Sequence, residues 1–239
     1  MELFVQKKRL RQAPFNQELN LSEMSQFKHL TEIERLHIEL NSTRILYKKG
    51  TVIYREGTKH SGFFCIANGI VKIYKIGANG KTQIIRFANK GDFIAYRSLL
   101  TDELSTTSAK ALIDTVVYHI PYHVLLNIFQ NNWKFTHEMM KIACTQLRQS
   151  NTFVTDLAQK SVRERTAEVL LFLKDQFGLD LNNALQIKVT RKDLANMVGT
   201  VPESLIRVMS EFKSEKLLEY PGRNIVFLNP KKLLSIAKT

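Results

Sequence analysis

The sequence predicts an α+β fold with three parts in series: an N-terminal β-barrel or jelly roll, a long helix, and a C-terminal winged helix-turn-helix. Three observations carry that expectation. Between Thr43 and Ile120 short β runs alternate with Gly-containing turns. Between Trp133 and Lys160 apolar or small residues recur at alternating spacings of four and three. Val189 to Lys213 holds two helix starts separated by a glycine, and a strand-turn-strand pattern follows it. A chain of 239 residues can bury two cores. We divide it into an arm (1–20), a barrel (21–130), a long helix (131–159) and the winged unit (160–239).

Residues 1–20 carry a basic cluster, Lys7, Lys8, Arg9 and Arg11, then Pro14, and read as a peripheral arm. From Ser22 to Leu40 the apolar residues Met24, Phe27, Leu30, Ile33, Leu36 and Ile38 predict one or two short helices closing one end of the barrel. The β runs are R-I-L-Y, T-V-I-Y, F-F-C-I-A, I-V-K-I-Y-K-I, T-Q-I-I-R-F and T-V-V-Y-H-I. Asn79-Gly80, between two alternating runs, is the clearest hairpin, because a tight hairpin needs residues that tolerate positive φ. Cys65 lies in a strongly apolar run and reads as core. His119 and His123 flank Pro121 at a strand-to-helix junction and read as exposed polar residues, not as a metal pair.

In the long helix the seam is Thr136, Met140, Ala143, Leu147, Ser150, Val154 and Leu157, roughly three heptads long. A second stripe, Phe135, Met139 and Ile142, would pack on the barrel. Two apolar stripes suit a helix that buries one face at home and the other in a second copy of the chain. Met140, Ala143, Leu147 and Val154 are its expected dimer contacts. Ser161 to Phe177 follows as an amphipathic helix with Val162, Thr166, Val169, Leu170 and Leu173 inward, and Leu185 to Val189 as a short strand.

Thr190 and Asp193 have the spacing of an N-cap pair, and Gly199 ends the first short helix. Thr200 and Glu203 repeat the spacing at a second start, with Pro202 tolerable in the first turn. On the second helix Leu205, Val208, Met209 and Phe212 share one face, while Glu203, Arg207 and Ser210 centre the other. Polar, planar groups near such a helix's N-terminal end suit the edges of base pairs. Arg forks onto guanine O6 and N7, and Glu accepts from cytosine N4. Leu217 to Tyr220, a Pro221-Gly222 turn and Ile225 to Leu228 complete a hairpin of wing type.

The run Pro202-Glu203-Ser204-Leu205-Ile206-Arg207 resembles the recognition helix of the Crp/Fnr family of bacterial transcription regulators, and the resemblance extends over roughly Leu21 to Leu228. It implies a homodimer on a palindromic operator in double-stranded DNA, with RNA polymerase as a further partner. Half-site centres would lie about one helical turn apart. Base readers would be Glu203, Arg207, Ser204 and Ile206, the last against a thymine methyl. Phosphate contacts would be Thr190, Arg191, Lys192 and Thr200. Catabolite-activator-like members have a guanine-reading Arg where this chain has Pro202, so one guanine preference worth about 1–3 kcal/mol is expected to be missing.

The barrel run G-F-F-C-I-A-N-G-I-V-K-I-Y-K resembles the family's cyclic-nucleotide-type sensor. Cyclic-nucleotide binders of the family carry Gly-Glu after G-D-F-I and, farther on, a phosphate-holding Arg. Here the chain reads Ala95-Tyr96-Arg97-Ser98, and later Ser105-Thr106-Thr107. The Gly, the Glu and that Arg are missing. Ala95, Tyr96, Arg97, Thr106 and Thr107 mark the candidate effector pocket, with cyclic AMP not expected, no cofactor assigned and Tyr96 filling the space.

Composition bounds the partners. Formal charge is +13, with net +8 over residues 1–159 and net +5 over 160–239, so an anionic partner fits without being assigned to one unit. Two cysteines, Cys65 and Cys144, make neither a disulfide framework nor the four-thiolate set of an iron-sulfur cluster, and point to a reducing cytoplasm. No signal peptide and no apolar run of about 18 residues is visible, so no membrane is expected. The lack of a converging His/carboxylate or nucleophile set argues against an enzyme and against a metal site. The rival class is a ligand-sensing barrel whose helical region binds protein.

Overall fold

The computed structural model describes residues 24–238, and the basic cluster of the expected arm lies outside them. The described chain forms two compact units, one of residues 24–75 and 86–144, the other of residues 76–85 and 145–238. A 3-10 turn, Ser25–Phe27, precedes α1 (Glu32–Asn41). Thr31 starts α1 with a capping box: Glu34 N–H donates to its hydroxyl (3.2 Å) and its own N–H donates to the Glu34 carboxylate (2.8 Å). Met24, Phe27, Leu30 and Ile38 are buried as the pattern predicts. Ile33 and Leu36 are not: they stand 82% and 55% exposed, because α1 turns a second apolar side to solvent.

The barrel strands are β1 (Thr43–Tyr47), β2 (Val52–Tyr54), β3 (Gly62–Asn68), β4 (Val71–Ile76), β5 (Thr82–Ala88), β6 (Phe93–Ile94), β7 (Ser108–Ala111) and β8 (Thr115–Pro121). They form two four-stranded sheets, ordered β1-β8-β3-β6 and β2-β7-β4-β5. The two-residue β6, the short β7 and a five-residue helix α2 (Tyr96–Leu100) were not signalled by the β pattern. The hairpin expected at Asn79-Gly80 joins β4 to β5. Gly80 adopts φ +74°, and the Lys81 N–H donates to the Asn79 side chain at 3.1 Å. Cys65 is fully buried, and burial pushes its thiol up. His119 departs from the expected exposure. It is half-buried, its ring meets Ser61 Oγ at 3.3 Å, and burial holds its pKa down; His123 is exposed.

After β8, α3 (Tyr122–Asn131) leads into α4 (Trp133–Gln159). Asn132, just ahead of α4, accepts from the Phe135 N–H at 3.0 Å, a side-chain cap. Phe135 and Met139 are buried in a core with Phe27, Phe63, Phe93 and Leu125, and Ile142 packs partly against it. The Phe27 and Phe135 rings stack at 6.2 Å.

In the C-terminal unit, α5 (Val162–Phe177) starts at a Ser161–Glu164 capping box and buries Thr166, Ala167, Leu170 and Leu173. Val162 and Val169, also expected inward, are half-buried. No regular strand forms over 185–189. Ala184 and Leu185 instead make single bridges, to Val226 and Leu179. Next come α6 (Arg191–Val198), α7 (Pro202–Ser214), β9 (Leu218–Glu219), β10 (Val226–Phe227) and α8 (Pro230–Ala237). The paired strands β9 and β10 make the expected wing, while α8 went unread in the sequence.

Replacing Phe135 with Ala leaves a cavity in the barrel core and is expected to cost about 3–5 kcal/mol of that unit's stability. Urea unfolding followed by circular dichroism checks this; a loss below about 1 kcal/mol would mean that the core does not depend on this ring.

Candidate nucleic-acid interface and barrel cavity

The geometry of the α6–α7 pair follows from caps and from burial. Thr190 caps α6 as its spacing predicts, accepting from Asp193 N–H at 3.0 Å, and Gly199 ends it in the left-handed region at φ +72°. A Cβ at Gly199 would also lie 2.6 Å from Leu157 Cδ2, so strain and crowding both favour glycine. The second cap differs from expectation. Val201, not Thr200, is the residue ahead of α7, and no side chain caps it. Pro202 at the first helical position explains this, since a residue before proline is driven to extended backbone, as Val201 is at φ −88°, ψ 152°. Thr200 therefore sits half-buried in the turn itself.

α7 buries Leu205, Val208, Met209 and Phe212, all below 5% exposed. Glu203, Ile206, Arg207 and Ser210 face solvent and Ser204 is half-buried. Two cations of α5 fix the pair from behind. Arg163 donates to Glu211 (3.1 Å) and to both oxygens of Glu215 (2.7 and 2.8 Å), with its guanidinium 4.9 Å from the centre of the Phe212 ring. Arg165 Nε donates to the Val198 carbonyl at 2.9 Å, completing the C-terminal end of α6 where the helix dipole favours a cation. Of the expected phosphate contacts, Thr190 and Lys192 are exposed at the front of α6 and Arg191 is half-buried beside them. Arg191 lies over the Tyr220 ring, 4.7 Å from its centre, a pairing that no local pattern in the chain signals.

On α4, the expected seam residues Met140, Leu147 and Val154 are 52%, 62% and 65% exposed. Ala143 differs from them: it is half-buried and packs against the barrel core.

In the barrel, Ala95, Tyr96, Arg97, Thr106 and Thr107 do converge, together with Tyr54, Arg86 and Ser105, on a cavity of about 30 Å³. That holds on the order of two waters. A small-molecule site needs roughly 300–1,000 Å³. Tyr96 is 3% exposed and Arg97 points to solvent. Ala95, ahead of α2, takes a left-handed φ of +65°, which costs a non-glycine residue about 1 kcal/mol. Burial pushes the Tyr54 phenol up, with the Thr107 hydroxyl and nearby Arg86 opposing. Arg86, overlooked because an Arg in an alternating strand reads as outward-facing, is the buried cation here. Its two terminal nitrogens donate to the Phe87 and Phe93 carbonyls at 3.3 and 3.1 Å, Asp92 lies 3.9 Å away, and Nε has no partner among the described residues. Its donors are turned largely onto the barrel's own backbone. These residues do not fit a cyclic nucleotide.

No helix among the described residues is long and apolar enough to cross a membrane, and no cluster of three metal-binding side chains occurs among them.

Comparison with known proteins separates the same regions. Residues 44–132 match the family model of the cyclic nucleotide-binding domain, and residues 164–236 that of the Crp-like helix-turn-helix domain. The chain is 25% identical over 192 residues to the fumarate and nitrate reduction regulatory protein of Vibrio cholerae, covering 80% of this chain and 76% of that one. It is 26% identical over 200 residues to the anaerobic regulatory protein of Bacillus subtilis, covering 82% and 84%. Among solved structures, a transcriptional regulator of the Crp/Fnr family from Eubacterium rectale superposes with a TM-score of 0.76 at 19% identity, over 90% of this chain and 99% of that one. FixK2 from Bradyrhizobium japonicum gives 0.71 at 24% identity, over 82% and 96%.

Calorimetric titration with cyclic AMP is expected to give no saturable heat up to millimolar ligand. Binding in the micromolar range would show that the cavity opens around a nucleotide.

Proposed function

The chain is a DNA-binding transcription regulator of the Crp/Fnr family, and we propose that it acts as a homodimer whose two α7 helices enter successive major grooves of a palindromic operator. One observation carries this reading: the apolar side of α7 is fully engaged, which leaves Glu203 and Arg207 turned to solvent at its N-terminal half. Arg207 is the guanine reader and Glu203 accepts from a cytosine amino group. Ser204 and Ile206 border them, with Ile206, half exposed, suited to a thymine methyl. Thr190, Arg191, Lys192 and Thr200 lie at the front of α6 or in the turn, where charge and free helix N–H groups suit phosphate.

Self-association runs along α4. Met140, Leu147 and Val154 expose large apolar side chains at a regular spacing of seven residues, a stripe that a second copy would cover. Pairing two recognition helices about one helical turn apart makes the operator two-fold symmetric. RNA polymerase is the further partner that this reading names. The barrel is assigned no cyclic AMP, since Tyr96 and the missing Gly, Glu and Arg leave no seat for it. The protein works in the cytoplasm, where its DNA is.

Selection from random duplexes is expected to return an inverted repeat with G·C pairs in each half-site. Arg207→Ala should cost about 1–3 kcal/mol in each half-site and relax selection at one base pair there. Binding should weaken steeply with salt. Selected sequences without two-fold symmetry, or an Arg207→Ala variant with unaltered preference, would overturn the proposal.

A further inference from the structure

Beside the exposed face of α7 lies an open cleft of about 430 Å³, walled by α7, the front of α6 and the start of the wing. Its chemistry is one-sided. Arg191 and Lys213 line it, and none of the described residues that line it is acidic. Ile206 and Met209 provide the apolar wall. The hydroxyls of Ser210 and Ser214 line it as well, but each donates to a carbonyl of its own helix, Ile206 at 2.9 Å and Glu211 at 2.8 Å. The two cations therefore carry whatever attraction the cleft has. Their partner must be an anion that reaches a surface beside the base-reading face.

We propose that the cleft seats a backbone phosphate of the operator, and that Tyr220 is a positioning residue that holds Arg191 in place for it. This rests on the reading of α7 as the helix that enters the major groove. Arg191 is the first residue of α6, so its guanidinium stands near a helix N-terminus, where both charge and backbone favour an anion. Free in solvent, such a side chain would lose considerable rotamer entropy on gripping one phosphate. Here the guanidinium carbon already stands over the Tyr220 ring, 4.7 Å from its centre, an attraction between cation and ring quadrupole. Tyr220 is held in turn. Pro221 restricts the backbone before it to extended forms, and the turn closes at Gly222 with φ +61°. The ring face, not the hydroxyl, does the holding, because the Tyr220 oxygen is buried and has no partner among the described residues. Lys213, exposed on the last turn of α7, supplies the second charge.

The test uses the full chain and a duplex that the wild-type protein selects, with Kd measured across a salt series. Tyr220→Phe keeps the ring and is expected to bind as the wild type does, with an unchanged salt slope and a melting temperature equal or higher, since an unpartnered buried hydroxyl is removed. Tyr220→Leu keeps an apolar side chain without the ring face. It should bind on the order of tenfold more weakly at low salt, with a slope reduced by about 1.8, since one contact is lost in each half-site. Arg191→Gln should match it, and the double variant should be no weaker than Arg191→Gln alone, because both changes remove the same contact in each half-site. Lys213→Gln should lower the slope by about the same amount independently. Base preference should stay as in the wild type throughout. If Tyr220→Leu binds with wild-type affinity and slope, or if Tyr220→Phe is as weak as Tyr220→Leu, the positioning role is wrong while the regulator reading stands. If Lys213→Gln leaves the slope unchanged, the phosphate seat is wrong. A wild-type chain that selects no duplex overturns this inference together with that reading.

Discussion

The burial of one side of α7 is the constraint on which the rest of the C-terminal unit depends. Leu205, Val208, Met209 and Phe212 are withdrawn from water, each contributing roughly 2 kcal/mol as an upper estimate. Turning the helix about its axis would expose all four and bury Glu203 and Arg207 without partners, a further cost of several kcal/mol per charge. Arg163 adds directional restraint through a two-oxygen grip on Glu215 and its placement over Phe212. The outward face of α7 is thus not a choice made by its polar residues. It is what remains once the apolar ones are placed.

The barrel unit solves the opposite problem, since it has a cavity to close. Tyr96 is buried where α2 begins, and Arg86 spends its terminal nitrogens on the Phe87 and Phe93 carbonyls. A buried guanidinium tied to its own sheet keeps its charge without inviting an anion, and about 30 Å³ remains. The fold is that of a cyclic nucleotide-binding domain, while in the proposed reading the residues facing the cavity serve its packing. Fold and ligand chemistry separate here, as they do wherever a site is built from side chains set on a common frame.

Much of this was legible in the sequence because local rules and tertiary packing agree. Thr190 and Asp193 announce the start of α6, Gly199 its end, and the 3.6-residue period of α7 gives its buried face in full. Asn79-Gly80 gives the β4–β5 turn for similar reasons. The misreadings share one cause, which is a second local signal that the pattern alone cannot rank. Thr200 and Glu203 have capping spacing, yet Pro202 moves the helix start by one residue. Ile33 and Leu36 lie at helical spacing with Leu30 and yet face water, since periodicity does not say which of two apolar sides meets the core. The Arg191–Tyr220 pair was hidden because its two members lie far apart in sequence, and Arg86 because an Arg in an alternating strand usually marks the surface.

Everything proposed for the C-terminal unit requires that two copies of α7 meet base edges in the major groove. Dimethyl sulfate protection on a selected operator reads that directly, since it reports guanine N7 in the major groove and adenine N3 in the minor groove. Two protected guanine patches are expected, with centres about one helical turn apart and adenine N3 reactivity little changed. Guanine N7 left reactive throughout a bound site, or protection confined to adenine N3, would contradict it.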